Sequence, residues 1–444
     1  MTASRRQVIA GAGAAGLGFL LSGAVGSVFG GPASAAPPKK FTGYGKLVPD
    51  PKGLVDLPRG FRYTVFSRAG VDTLTGGGAV PGLHDGMFAF PHGRGRSALV
   101  RNHELEVGDP EPAVPSRPGI VYDPGAPGGT TTLVVDGDRL LSHVPSLAGT
   151  VNNCAGGNTP WGTWLSCEET EDTPDDVPEL TKRHGYVFEV DPFGRLRDPE
   201  PVPLTALGRF AHEAVAVNPK TGVCYLTEDA DEPYGLIYQF LPRRPLGGPG
   251  SLRAGGKLQA MRVPDVPDLS AVSELRTTLP VTWVDVPDPD AAGTSVRAQF
   301  EDGAVTRVPK AEGTFWSGGS CYFVSSYAEK AEGAAADHAG QVWRLDPKKS
   351  TIELVVRIEP GGRFDSPDNI TVSPTGRLIM CEDGDGEQYL VVAAEDGTPY
   401  PLARNAGSDS EWAGATFSAD GRWLYANIQK DGLTVAITGP WARG

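Results

Sequence analysis

Between Thr150 and Thr170 the sequence reads TVNNCAGGNTPWGTWLSCEET, two thiols, two adjacent carboxylates and three asparagines set among glycines and aromatics. Asn152, Asn153 and Cys154 precede a Gly-Gly turn, and Glu168 and Glu169 close a strand-like run from Trp161 to Cys167. Carboxylate and amide oxygens are hard metal ligands, thiolate sulfur is a soft one, and glycines let backbone approach closely. The competing reading is a Cys154–Cys167 disulfide closing a turn, beside a solvated acidic strand end. Carboxylates recur in similar settings along the chain: Asn102-His103-Glu104, His212-Glu213, Glu228-Asp229, Glu312, Asp365, Asp368-Asn369 and Glu382-Asp383. Any one of them reads equally well as a solvated loop acid or a turn cap, but their recurrence weakens that reading for the set. An oxygen-rich cluster suits calcium. Zinc fits poorly, because the seven histidines contain no His-x-x-x-His pair. His103 and His212 each precede a glutamate and read as structural, since a strand points neighbours to opposite faces. Neither a Gly-x-Ser-x-Gly elbow nor a phosphate-binding glycine loop occurs, and Ser317-Gly318-Gly319-Ser320 reads as a hairpin turn.

Distant acids can meet only if the fold gathers strand ends. Abundant glycine (59) and proline (40) work against long helices. Short runs of β-branched and aromatic residues recur instead between turn residues, as at Tyr186–Val190, Leu236–Phe240 and Gln341–Leu345. Three stretches share one form, a strand, a tight turn ending in glycine, and a second strand. They are Ala214–Leu226, Ile370–Cys381 and Ala415–Ala426. Gly235–Tyr238 and Gly340–Arg344 resemble outer strands of the same unit. Repetition of one hairpin type predicts a β-propeller rather than the competing β-sandwich, and a propeller brings loops from different blades to one mouth of a central channel.

The chain opens with Arg5-Arg6, an uncharged Gly- and Ala-rich run from Val8 to Phe29, and Ala33-Ser34-Ala35. That layout predicts a twin-arginine signal peptide over residues 1–35 with cleavage after Ala35, leaving 36–444 as a single propeller domain that is secreted or held at the cell envelope. No later stretch is apolar enough for a stable membrane span. Five cysteines are few and odd in number for a disulfide-built exported protein, so at least one is free or paired with another chain. The formal charge of −14 argues against a nucleic-acid partner, and a negatively charged substrate would need local cations.

Taken together, Arg101–Glu104, Asn153–Gly156 with Cys167–Glu169, Gly208–Glu213, Lys310–Gly313, Asp365–Asn369 and Glu411–Gly414 with Asp420-Gly421 resemble the PhoX family of secreted alkaline phosphatases. These matches run in order through most of the mature chain. The resemblance implies an all-β, six-bladed propeller with loop insertions that hydrolyses phosphomonoesters at a mixed centre of Fe3+ and Ca2+. It implies Cys154 as the thiolate ligand to iron, with Glu168, Glu169, Glu213, Glu312 and Asp368 as metal-binding carboxylates. It places Asn102 and Glu104 beside the metals or substrate, and Lys310 where the family commonly has a substrate-contacting arginine. Lysine there offers a point charge rather than a planar fork. The partners implied are a small phosphoester and the twin-arginine export machinery, for a monomeric enzyme. Two rival readings are a calcium-dependent lactonase or esterase propeller, which would not need Cys154, and a metal-binding propeller without catalysis.

Overall fold

The short β-rich runs and glycine turns become twenty-seven strands and five 3-10 turns, with no α-helix among residues 40–442, the part of the chain that the computed structural model describes. The predicted signal peptide, with its boundary after Ala35, lies outside the described residues. No helix among the described residues is long and apolar enough to cross a membrane.

The strands form six antiparallel sheets, the blades of a β-propeller. Their innermost strands are His84–His92 (blade 1), Gly156–Asn158 (blade 2), His212–Val217 (blade 3), Ala311–Ser317 (blade 4), Pro367–Val372 (blade 5) and Trp412–Phe417 (blade 6). The three recurring hairpins are the first two strands of blades 3, 5 and 6. In each, the turn glycine, at positions 222, 376 and 421, donates its N–H to Asn218, Ser373 or Ser418 at 2.8 Å. Ile237–Pro242 and Gly340–Asp346, read from sequence as outer strands, are third strands with further strands beyond them. Chain ends close the ring: Arg62–Arg68 is the outermost strand of blade 6, and Val55–Pro58 extends blade 5.

The inner strands are buried on both faces because every blade packs against two neighbours. The apolar residues accordingly form one cluster per blade interface. Tyr225, Phe323 and Trp343 lie between blades 3 and 4, and Trp412, Leu424 and Leu390 between blades 5 and 6. At the axis the packing is backbone on backbone. A Cβ on Gly157 would stand 1.5 Å from the Val215 carbonyl oxygen, and one on Gly86 2.4 Å from Ala155 Cα. Only glycine permits that approach. All five cysteines are buried and free, so the Cys154–Cys167 disulfide does not form.

Candidate metal centre

The six blades present their inner hairpins to one mouth of the channel with the same backbone scheme. In blades 1, 3, 4, 5 and 6 the inner strand carries a register shift within its first residues, at 84/87, 212/215, 311/314, 367/370 and 413/416. Blade 2 has its inner strand begin only at Gly156, just past the corresponding segment. A bulge re-aims the side chain it carries. The residues so placed are Asp85, Cys154, Glu213, Glu312, Asp368 and Ala413.

A second set follows from the hydrogen bond that ties each second strand to the approach of the first. The N–H groups of Glu104, Glu169, Asp229, Ser326, Asp383 and Gln429 donate to the carbonyls of Leu83, Asn152, Ala211, Lys310, Ser366 and Glu411, at 2.8–3.2 Å. Four of those acceptor residues, Leu83, Asn152, Lys310 and Ser366, have φ between 40° and 49°. Left-handed backbone in residues other than glycine is strained, and its recurrence at one position around the mouth marks a functional surface.

The two sets converge. Ligand atoms of Cys154, Glu169 and Glu213 lie within 4.8 Å of one another, as do those of Glu169, Asp229 and Glu312, and those of Glu213, Glu312 and Asp368. These overlapping groups share Glu169, Glu213 and Glu312. Across the mouth, Gln429 donates its amide to Asp85 (2.9 Å) and to Glu104, while Glu411 and Asp383 repel each other's charge. Burial, then mutual repulsion, holds the pKa values of Glu104, Glu169, Glu213, Glu312, Asp368 and Glu411 well above the ordinary carboxylate range. Burial pushes Asp85 up to about 6. Burial and the nearby carboxylates also raise the Cys154 thiol, whose Sγ donates to the carbonyls of His212 (3.3 Å) and Glu213 (3.5 Å).

Two residues supply positive or donor character. Lys310 pairs with Asp229 and stands 3.5 Å from Glu312. Burial opposes its charge, but those carboxylates hold its pKa above the usual lysine value. Asn369 donates to Asp368 (3.0 Å) and Glu213 (3.4 Å) and accepts from the Gly414 N–H (2.6 Å). Oxygens of Asp85, Asp229 and Asp368 are buried with no hydrogen-bond partner. Buried carboxylate oxygens that are crowded and unsatisfied call for cations, so the donor set fits metal.

Of the residues singled out in the sequence, the fold gathers Cys154, Glu169, Glu213, Glu312 and Asp368, with Lys310 beside them. Glu104, in the neighbouring blade 1, repels the charge of Glu169 and accepts from Gln429 but joins none of the three groups. Glu168 and Asn102 stand elsewhere. Both oxygens of Glu168 are spent inside the blade, on the N–H groups of Val151 (3.0 Å), Gly185 (2.9 Å) and Tyr186 (3.1 Å) and on His184 Nδ1 (2.6 Å). Buried His184 also reaches Asp123 at 3.4 Å, and the paired carboxylates keep its pKa above normal against the effect of burial. Asn102 is equally committed: its amide donates to the carbonyls of Cys154 (3.0 Å) and Ala155 (2.6 Å), and its oxygen accepts from Trp164 and Ser166. It holds the Cys154 segment rather than facing the mouth. Asp85 was not singled out at all, and Asp229, Asp383 and Glu411 were noticed without a role. Alternation along a strand would have found two of them, Asp229 and Asp383. In the doublets Glu168-Glu169, Glu228-Asp229 and Glu382-Asp383 the first acid bonds within its own blade and the second faces the channel.

Comparison with known proteins agrees with this geometry. The sequence model of the family described as alkaline phosphatase PhoX matches residues 42–432. The fold is similar to that of Pseudomonas fluorescens PhoX in complex with vanadate, a transition state analogue, with a TM-score of 0.66 at 20% identity, over 87% of this chain and 96% of that one. Weaker likenesses include a gluconolactonase from Xanthomonas campestris (TM-score 0.39, 13% identity, 85% of this chain and 98% of that one) and virginiamycin B lyase from Staphylococcus aureus (TM-score 0.39, 10% identity, 85% and 99%). No curated protein sequence matches.

Proposed function

We propose how this chain, which belongs to the PhoX family of alkaline phosphatases and is therefore a phosphomonoesterase, carries out its reaction: the mouth of the channel holds iron and calcium and cleaves the ester there. The observation that carries this reading is the convergence of one buried thiol and the carboxylates of Glu169, Glu213, Asp229, Glu312 and Asp368 in three groups that share members. Cys154 offers the soft ligand and suits Fe3+. The all-oxygen groups suit Ca2+. Glu169 rather than its neighbour Glu168 is the ligand of that doublet, because Glu168 has no free lone pair directed at the mouth. When bound, such cations screen the phosphate charge and make an oxygen nucleophile available at neutral pH.

The chain's own residues do the rest. Glu169, Glu213, Asp229, Glu312 and Asp368 would hold cations in their deprotonated form, as ligands must be deprotonated to bind. Asp229 and Glu312 would then pair with a cation rather than with Lys310, whose ammonium would be left to meet a phosphate oxygen. Lysine contacts that oxygen as a point charge, so it orients the group less strictly than an arginine fork would. Asn369 keeps Glu213 and Asp368 apart and fixes their rotamers. Asn102 holds the carbonyls of Cys154 and Ala155, which sets the direction of the thiol. The strained residues before the inner strands of four blades, Leu83, Asn152, Lys310 and Ser366, are rigid supports, so the ligand-bearing side chains need little reorganisation when phosphate arrives.

Export fits the same reading. The family is typically exported, and the twin arginines indicate the route that carries folded proteins, which would allow the centre to be loaded before transit. The test is metal analysis of protein exported by its own signal, with phosphomonoesterase assays before and after chelation. Iron and calcium that co-purify with wild type, and are lost with activity in Cys154→Ala, support the proposal. Full hydrolysis by metal-free protein would end it.

A further inference from the structure

The mouth has a side door. A cleft of about 810 Å³ opens beside it, bordered by Ser366 and Asp383 on the channel side and by Lys430, the neighbour of Gln429. Its other walls come from the loop after the second strand of blade 4 and from the segments before and after the first hairpin of blade 5. They carry Glu329, Glu332, Asp337, Asp365 and Asp385. With Asp383 that makes six carboxylates against Lys430. Two further cations lie close by: Lys330, 3.9 Å from Asp337, offsets that one acid, and Arg357, which donates to the Asp337 carbonyl (2.9 Å), is paired with Glu359 outside the cleft wall.

An independent observation marks the cleft as built to receive a donor. His338 lines it and is only 2% exposed. The Ser325 hydroxyl donates to the Pro309 carbonyl (2.5 Å), so Ser325 accepts from His338 Nε2 at 3.5 Å. Nε2 therefore carries the proton and Nδ1 keeps its lone pair. Nδ1 is buried and has no partner. Burial, reinforced by Arg357, lowers the pKa to about 3, so the ring is neutral at working pH. A buried acceptor left unpaired is costly, and a hydroxyl or ammonium donor in the cleft would satisfy it once the ring turns to bring Nδ1 to the cleft wall.

We propose that this cleft takes the alcohol portion of the phosphomonoester and favours alcohols that are cationic or rich in hydroxyl groups over anionic ones. The proposal rests on the reading of the mouth as the phosphate-cleaving site. Substrate charge would then be sorted in space, with the phosphate at Lys310 and the bound cations and the leaving group among carboxylates. Low-dielectric walls lined with one sign of charge concentrate that selection.

The experiment compares kcat/KM of the metal-loaded full chain for phosphoethanolamine, glycerol 1-phosphate and 3-phosphoglycerate. At low salt the cationic substrate should exceed the carboxylate-bearing one by about 10-fold or more, with the polyol between them, and about 0.5 M salt should shrink the ratio to a few-fold. The double variant Glu329→Lys, Glu332→Lys should compress the low-salt ratio at least about fivefold, since it reverses two of the six charges. A ratio near one at low salt in an active wild type, or one indifferent to salt, would overturn the proposal while leaving the phosphatase reading intact. Absence of turnover on all three substrates would overturn both. The salt series uses wild type alone, so misfolding of the double variant would not rescue the idea.

Discussion

The two halves of the channel mouth use one backbone scheme for different ends. On the side of blades 2 to 4, completed by Asp368 of blade 5, the inward positions hold a thiol and five carboxylates close enough to share cations. On the side of blades 5, 6 and 1 the equivalent positions hold Asp85, Glu104 and Asp383, with Glu411 nearby, and blade 6 supplies Ala413 and Gln429 where other blades place acids. Here Gln429 bridges Asp85 and Glu104, and no three ligand atoms draw together in the same way. The scaffold fixes where a side chain points, and the identity of one residue per blade decides what that direction can do. The first half is crowded and needs cations to exist as drawn. The second is partly satisfied by protein donors.

The largest expected effect lies in the crowded half. Cys154→Ala or Glu213→Ala should lower kcat/KM by more than about 100-fold, beyond the 10–100-fold usual for residues that only support ligands, together with metal content by elemental analysis. If either variant keeps both, the halves do not differ as described. The Glu168-Glu169 doublet sharpens the comparison by one residue. Glu169→Gln should behave as a lost ligand. Glu168→Gln should instead cost about 1–3 kcal/mol of stability through unpaired N–H groups, read by thermal melting, with about 10–100-fold weaker metal affinity.

Next in size is a pH effect on metal-stripped protein. Carboxyl pKa values raised by folding add stability below the unfolded value near 4 and lose it as pH rises through the folded value. Asp85, at about 6, places part of that loss between roughly pH 4 and 6, and the crowded acids extend it upward. Stripped protein should thus melt at lower temperature at pH 8 than at pH 6, and reloading with calcium and iron should remove the difference. An unchanged melting temperature across that range would mean that the acids are not crowded. The smallest effect is expected from Asp85→Asn in the second half. It relieves one repelling charge and should raise the melting temperature of stripped protein at pH 8 by about 1 °C, equivalent to about 1 kcal/mol.

Much of the fold was legible because turn chemistry repeats: Asn218–Gly222, Ser373–Gly376 and Ser418–Gly421 announce one hairpin three times. The three-stranded blade 2 was less so, since its inner strand is only Gly156–Asn158 and carries no β-branched run. The site was legible in its members more than in their partition. Glu168 and Glu169 are identical in type and adjacent, and only the phase of strand Trp164–Cys167 says which faces the channel. Asp85 hid for a different reason. It sits in Leu83-His84-Asp85-Gly86, where a lone acid before glycine looks like a turn. Its importance comes from a bulge that register alone reveals.

The seam of the ring has a consequence for the order of events in the life of the chain. Arg62–Arg68, among the first strands to leave the ribosome, must wait for Leu433–Thr438, among the last, before it has its partner. The circle, and with it the mouth where all six blades meet, therefore cannot exist on a nascent chain. Loading with metal belongs after synthesis ends, as the final step of maturation, and a chain truncated before Leu433 should be blind to iron however much of the ligand set it retains.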